Sequence, residues 1–276
     1  MSRPLKFPTS SEVARCAGVS RTTVSFVLNN VRDQGISEAT RERVLAAAHE
    51  LGHQPNAAAR SLAGGATGTV ALVIPKASHL YVDVFLGQLV ASINQQCHRH
   101  GLKMLIESTD DDGNDPGGFV DLVRSRRIDG LIVVNPSLAG RRYLGDIADA
   151  NIPMVVFGAG LPDVERFNTC GNDTSAAARM VVDHMVSLGH RAIAFVNFAK
   201  PEYLAVNERE RGWREAMASH GLPIDPAWAV NADISAASGY LATQQLLARG
   251  VSFSALFAGN DTIAFGAMRA LNEAGL

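Results

Sequence analysis

A chain of 276 residues, 47% hydrophobic and carrying a net charge of only −2, is long enough for one small and one larger domain with a filled core, which sets disorder aside. Its three cysteines, Cys16, Cys97 and Cys170, stand far apart with neither CxxC spacing nor a metal-ligand histidine pattern, so they read as reduced thiols and no metal or other cofactor is expected. No apolar run approaches membrane-spanning length, and the start from Met1 to Thr9 is polar rather than an apolar export signal, so a cytoplasmic protein without a membrane partner is expected.

The first fifty residues predict three short helices, each preceded by a hydroxyl residue. Thr9 and Glu12 form a capping box for the first, about residues 10–16. Gly18 supplies a turn, Ser20 caps a second helix running to about Leu28, and Ser37 caps a third that ends before Gly52. In the third, Val44, Leu45, Ala48 and Leu51 are read as its apolar residues. Helices this short must bury Val13, Ala14, Val19, Val24, Val27 and Val44 against one another, which makes a trihelical head. Charge is unevenly placed. Residues 1–60 hold eight Arg or Lys against five acids, a net +3, which leaves −5 for the rest of the chain and confines phosphate attraction to one end.

Pro55 to Ala63, closed by Gly64-Gly65, predicts a short helix with a built-in stop. From Thr69 the pattern becomes short β-branched runs at 70–74, 103–106, 130–134, 153–157, 192–196 and 255–258. They alternate with helices near 83–100, 117–126, 141–150, 174–188, 207–220, 236–249 and 261–274. Such alternation means βαβ units and doubly wound parallel sheets, whose ligands sit beyond the carboxyl ends of the strands or in a cleft between two lobes.

Glu12-Val13-Ala14, then Ala17-Gly18-Val19-Ser20-Arg21-Thr22-Thr23-Val24-Ser25 with Asn29 following, closely resembles the helix-turn-helix of the LacI/GalR repressor family. Leu188-Gly189-His190, Glu208 to Trp213, Asn260-Asp261 and Ala267-Met268-Arg269-Ala270 resemble that family's sensor, so the likeness covers nearly the whole chain. It implies an all-α helix-turn-helix head (1–54), a hinge helix and linker (55–66) and an α/β periplasmic-binding-protein-like sensor in two lobes (67–276). It also implies a sequence-specific transcription regulator, acting as a repressor: a homodimer on near-palindromic double-stranded operator DNA, nucleoid-associated, answering to a sugar or sugar derivative.

At the residue level, a helix starting after Ser20 directs Arg21, Thr22, Thr23 and Ser25 outward while Val24 and Val27 face the core. Arg21 can donate two bonds to guanine. Thr9, Ser20 and Thr23 suit phosphates, and Asn29 lies by similarity against the backbone. Phe26 stands where some relatives carry a base-reading arginine; it touches a thymine methyl or packs. The resemblance sets Asn56, Ala59 and Arg60 in the minor groove with Leu62 as a wedge between base steps. For the sensor it implies Arg209 as the cleft's gripping residue, with Asn260 at a strand's end and Ser78, Tyr81, Asp83 and Phe85 on the other lip. Gly158 stands where sugar-binding relatives often have an acid, and Ile234 replaces an aromatic that would stack on the effector. The chain stops at Glu273-Ala274-Gly275-Leu276, where family members continue with strands and a helix that complete both lobes. Either the sequence is truncated, or the sensor lacks part of its effector wall and dimer face.

Two other classes of protein fit the sequence less well. An enzyme would need a catalytic constellation, and neither GxSxG nor a Walker loop is present; the glycines at 64–68 precede a strand instead of following one. An exported solute-binding protein would share the sensor architecture but have no use for a DNA-reading head.

Overall fold

The computed structural model describes residues 8–31, 34–53, 66–109, 117–158, 166, 168–201 and 203–276. The chain divides into two compact units, Met1–Thr67 and Gly68–Leu276. The segment predicted as a hinge, 55–63, lies outside the described residues.

In the first unit, helix α1 (Ser10–Ala17) starts where Thr9 Oγ1 accepts the Glu12 N–H and the Glu12 carboxylate accepts the Thr9 N–H, the reciprocal cap that the sequence predicts. Gly18 ends it at φ 64°, a left-handed conformation that costs glycine least. Helices α2 (Arg21–Leu28) and α3 (Glu38–Glu50) are capped by the Ser20 and Ser37 side chains. Val13, Ala14, Ala17, Val24, Val27, Val44, Ala47 and Ala48 form the core, with Val19 packed half-buried at its edge. Leu45, apolar but not among the residues expected in the core, is 49% exposed. One residue along a helix is about 100° around it, so Leu45 cannot share the face that buries Val44. Two tethers close the unit: Arg41 Nη2 donates to Val31 O (2.9 Å), and His53 Nδ1 lies 2.7 Å from Pro8 O.

The second unit holds two parallel sheets. The first contains β1 (Thr69–Ile74), β2 (Lys103–Ser108), β3 (Gly130–Val134), β4 (Met154–Phe157) and β5 (Asn168–Cys170) in the order β2-β1-β3-β4-β5. Its connecting helices are α4 (Val84–Arg99), α5 (Gly118–Arg124) and α6 (Arg141–Asp149). The chain then passes through α7 (Thr174–Ser187) to the second sheet, whose strands β6 (Ile193–Asn197), β7 (Ala229–Asn231) and β8 (Ala255–Ala258) run in the order β7-β6-β8. Helix α8 (Leu204–Ser219) links β6 to β7, α9 (Ala236–Ala248) links β7 to β8, and α10 (Asp261–Glu273) follows β8. The connection from β6 to β7 and the connection from β7 past β6 to β8 run in opposite directions along the sheet, so right-handed crossing places α8 and α9 on opposite faces.

Each sheet has its own core. Ala71, Val73, Leu131, Val133, Leu144, Ile147 and Val156 pack on one face of the first, and Leu72, Ile74, Leu86 and Val134 on the other. The second is built on Ile193, Phe195, Trp213, Met217, Leu246 and Ile263. Strands β1 and β6 are buried almost throughout, as parallel strands covered on both faces must be. Cys97 is buried, Cys16 and Cys170 are exposed, and all three are free.

Helices α9 and α10 touch backbone to backbone. A Cβ at Gly266 would stand 1.9 Å from Ala236 O, and one at Gly239 2.5 Å from Ile263 O. Gly266→Ala should therefore cost about 1–3 kcal/mol or more in denaturant unfolding, because strain outweighs alanine's better helix propensity of roughly 1 kcal/mol. Gly87→Ala in α4 meets nothing within 4 Å and should be neutral or stabilising.

Candidate functional site

Two surfaces concentrate the residues singled out from the sequence. The first is the outer face of α2. Ser20 Oγ accepts the Thr23 N–H at 3.1 Å and lies 2.9 Å from Thr23 Oγ1, which fixes the helix's first turn. Ser20, Arg21, Thr22 and Ser25 are exposed and Thr23 is half-buried, while Val24 and Val27 are buried. Asn29, also exposed, donates from Nδ2 to Ser25 Oγ (3.3 Å). Phe26 is half-buried, so it packs and still presents part of its ring. Thr9 is exposed at the start of α1. What this face offers is hydroxyls and one guanidinium at a helix N-terminus, the polar group set that a major groove accepts. Asn56, Ala59, Arg60 and Leu62 lie outside the described residues.

The second surface is a cleft of about 220 Å³ in the second unit. Its lining comes from the carboxyl ends of strands in both sheets: Asp83 and Phe85 after β1, Asn135 after β3, Phe157 and Gly158 at the end of β4, Asn172 and Thr174 after β5, Phe198 after β6, and Asn260 after β8. That is where open parallel sheets leave room for ligands, since the strand order reverses at β1 and at β6. The rings of Phe85 and Phe157 lie 6.0 Å apart, tilted by 32°.

Arg209 enters this cleft from α8, one turn beyond Ala205, which also lines it. Its guanidinium lies 4.4 Å over the Phe198 ring and donates from Nη1 to Gly259 O at 2.7 Å. Burial strips water from the charge and pushes its pKa down to about 10, which leaves it protonated at neutral pH. The start of α8 is set by Asn197, a buried amide that donates from Nδ2 to Val206 O (3.1 Å) and accepts the Phe198 N–H (3.0 Å). One side chain therefore orients both Phe198 and the helix that carries Arg209. Asn260 caps α10 by accepting the Ile263 N–H at 2.7 Å.

Of the residues expected on the cleft, Asp83, Phe85, Arg209 and Asn260 line it. Ser78 and Tyr81 do not: both are exposed side chains of a 3-10 turn (Ala77–Tyr81), Tyr81 at 89%. Ile234 is buried instead, at φ 57°, with its N–H bonded to Phe198 O (2.8 Å). The sequence reading missed Asn135, Phe157, Asn172, Thr174 and Phe198. Their shared signal is position: each stands at or just past the end of a strand.

Beside the cleft, the second lobe is fastened to the first through Asp233. Its carboxylate lies 3.1 Å from Nε2 of His79, a buried ring, and 3.5 Å from Lys76 Nζ. Asp233→Ala leaves a buried ring nitrogen without that partner and should cost about 1–3 kcal/mol in urea unfolding, with Asp233→Asn costing less. Among the described residues no group of three metal-ligating side chains occurs, and no helix is long and apolar enough to cross a membrane.

Comparison with known proteins matches residues 9–56 to the family model for bacterial regulatory proteins of the lacI family. Residues 67–276 match the model for periplasmic binding proteins and the sugar binding domain of the LacI family. The HTH-type transcriptional repressor PurR of Vibrio parahaemolyticus is 30% identical over 270 residues, covering 97% of this chain and 78% of the relative. Among solved structures, the lac repressor dimer bound to operator and the anti-inducer ONPF superposes with a TM-score of 0.81 at 29% identity, over 98% of this chain and 79% of that one. A LacI-family regulator from Silicibacter pomeroyi gives 0.74 at 30% identity, over 98% and 78%. The chain belongs to the LacI family of bacterial transcription regulators, with a helix-turn-helix unit followed by a periplasmic-binding-protein-like sensor.

Proposed function

We propose that this chain is a repressor that binds near-palindromic operator DNA as a homodimer and changes its operator affinity when a small molecule, sugar-like in size, fills the cleft. The observation that carries the reading is α2: a capped helix whose polar N-terminal face is exposed and whose apolar side is locked into a three-helix core. Arg21, Thr22, Ser25 and Phe26 face base edges, and Thr9, Ser20, Thr23 and Asn29 hold the backbone. Asn56, Ala59, Arg60 and the wedge Leu62 belong by resemblance to the minor groove. The DNA-binding part spans 1–54, the hinge and linker 55–66, and the sensor 67–276.

The second copy is supported by α10, where Phe265 and Met268, three residues apart, are 69% and 64% exposed. A palindromic site needs two heads, and an apolar strip on a helix is the surface that a twofold partner covers. Of the comparison structures, the lac repressor is a dimer on its operator with an anti-inducer bound. The protein performs no catalysis, and it works in the cytoplasm at the nucleoid. In the cleft, Asp83, Phe85, Arg209 and Asn260 contact the effector; Ser78, Tyr81 and Ile234 have no direct part in that contact.

The test is selection from fragmented genomic DNA by gel shift at stated salt. The reading expects recovery of a site with twofold symmetry, bound about a thousandfold or more tighter than bulk DNA. Retention of all fragments alike, lost together as salt rises, would reject it.

A further inference from the structure

Arg209 is a desolvated cation with no carboxylate paired to it among the described residues. Glu208 and Glu210, its neighbours in sequence, pair with Arg211 and Arg214 on the outer side of α8. Among the described residues no carboxylate comes within ion-pair distance of the Arg209 guanidinium, whose one protein hydrogen bond uses a single Nη1 donor. Asp83 is the one carboxylate among the described residues that line the cleft, and it is engaged in accepting the Phe85 N–H (3.0 Å) at the start of α4. At β4, where a side-chain acid could have balanced the charge, the chain has Gly158, whose φ is 147° and whose added Cβ would stand 2.9 Å from Asn135 Oδ1.

Apart from Asp83 and Arg209, the described side chains that line the cleft are neutral. Asn135, Asn172 and Asn260 are amides. Thr174 opens α7 and Asn260 caps α10, and the carboxylates at those helix starts are engaged there: Asp173 caps α7 by accepting the Ala176 N–H, and Asp261 stands in the first turn of α10. Phe85, Phe157 and Phe198 supply apolar walls. A buried cation without a counter-ion is costly, and a neutral hydroxylated ligand would seal that cost in by displacing the remaining water. A carboxylate removes it. The planar fork of Arg209 receives two oxygens, and the surrounding amides remain for hydroxyls.

We propose that the effector of this sensor is an acid: a small molecule of sugar size whose carboxylate is bound by Arg209 and whose body lies against the three phenylalanines. This rests on the sensor reading above and narrows it to one charge class. The cleft's volume of about 220 Å³ suits a single ring or a six-carbon chain rather than a drug-sized ligand.

The experiment is a thermal-shift and calorimetric panel on the full chain at matched ionic strength. It compares D-gluconate, D-glucuronate and D-galacturonate with D-glucose and D-galactose, in wild type and in Arg209→Gln. The expected result is binding by at least one acid, no comparable binding by its neutral counterpart, and a loss of about ten- to a hundredfold for the acid in Arg209→Gln. The unliganded variant should melt no lower than wild type, since it loses an uncompensated charge; a variant that simply misfolds would melt lower and be replaced by Arg209→Met. Equal binding of neutral sugars, acid affinity unchanged in the variant, or no acid binding at all would each overturn the proposal. The operator selection does not depend on the ligand's charge, so the regulator reading stands or falls by a separate result.

Discussion

Trp213→Ala is expected to remove about 3–5 kcal/mol from the stability of the sensor unit, the range for truncating a buried aromatic whose surroundings cannot collapse into the space. Trp213 is wholly buried in α8, stacked on Phe195 at 5.6 Å, and its Nε1–H donates to Ile193 O at 3.3 Å. The lost volume therefore opens between α8 and the middle strand of the second sheet. Arg209 lies one turn earlier on the same helix, so ligand response should fall with stability even where the protein stays folded. Trp228, the chain's other tryptophan and part of the same core, reports the transition by its fluorescence. Trp213→Phe keeps a ring against Phe195 and should cost clearly less; equal losses for both would mean that the stack contributes little.

The largest effect on DNA should come from Arg21→Ala. A bidentate arginine–guanine contact contributes about 1–3 kcal/mol of discrimination, and a twofold site holds two, so specific affinity should fall by roughly 2–6 kcal/mol. Arg21 is exposed in the first turn of α2 and takes no part in the three-helix core, so its loss leaves that core untouched. The change should relax preference at one base pair per half-site while binding to bulk DNA weakens only slightly. Uniform weakening on all sequences, with the salt slope falling by about one per head, would instead make Arg21 a phosphate contact.

Much of the fold was legible because local chemistry and apolar period agree. Thr9, Ser20 and Ser37 announce three helices before any packing is considered, and all three cap as their side chains allow. Six β-branched or apolar runs mark six of the strands. The other two escaped for a physical reason: Asn168–Cys170 is an exposed three-residue strand at a sheet edge, and Ala229–Asn231 is equally short, so neither carries an apolar run. The cleft was half legible. Arg209 stood out from a motif, but Asn135, Asn172 and Phe198 are single residues past separate strands, and only the closing of two sheets brings them together. Tyr81 and Ile234 show the converse: closeness in sequence to a strand end or helix start says nothing of which way a side chain turns.

The account depends on α2 lying in the major groove of a symmetric site, and guanine-N7 methylation interference on the selected operator tests that directly. It predicts that methylation of a guanine in each half-site blocks binding by wild type, that the two positions are related by the site's twofold axis, and that Arg21→Ala loses this sensitivity. Interference without symmetry, or binding indifferent to N7 methylation anywhere in the site, would contradict it.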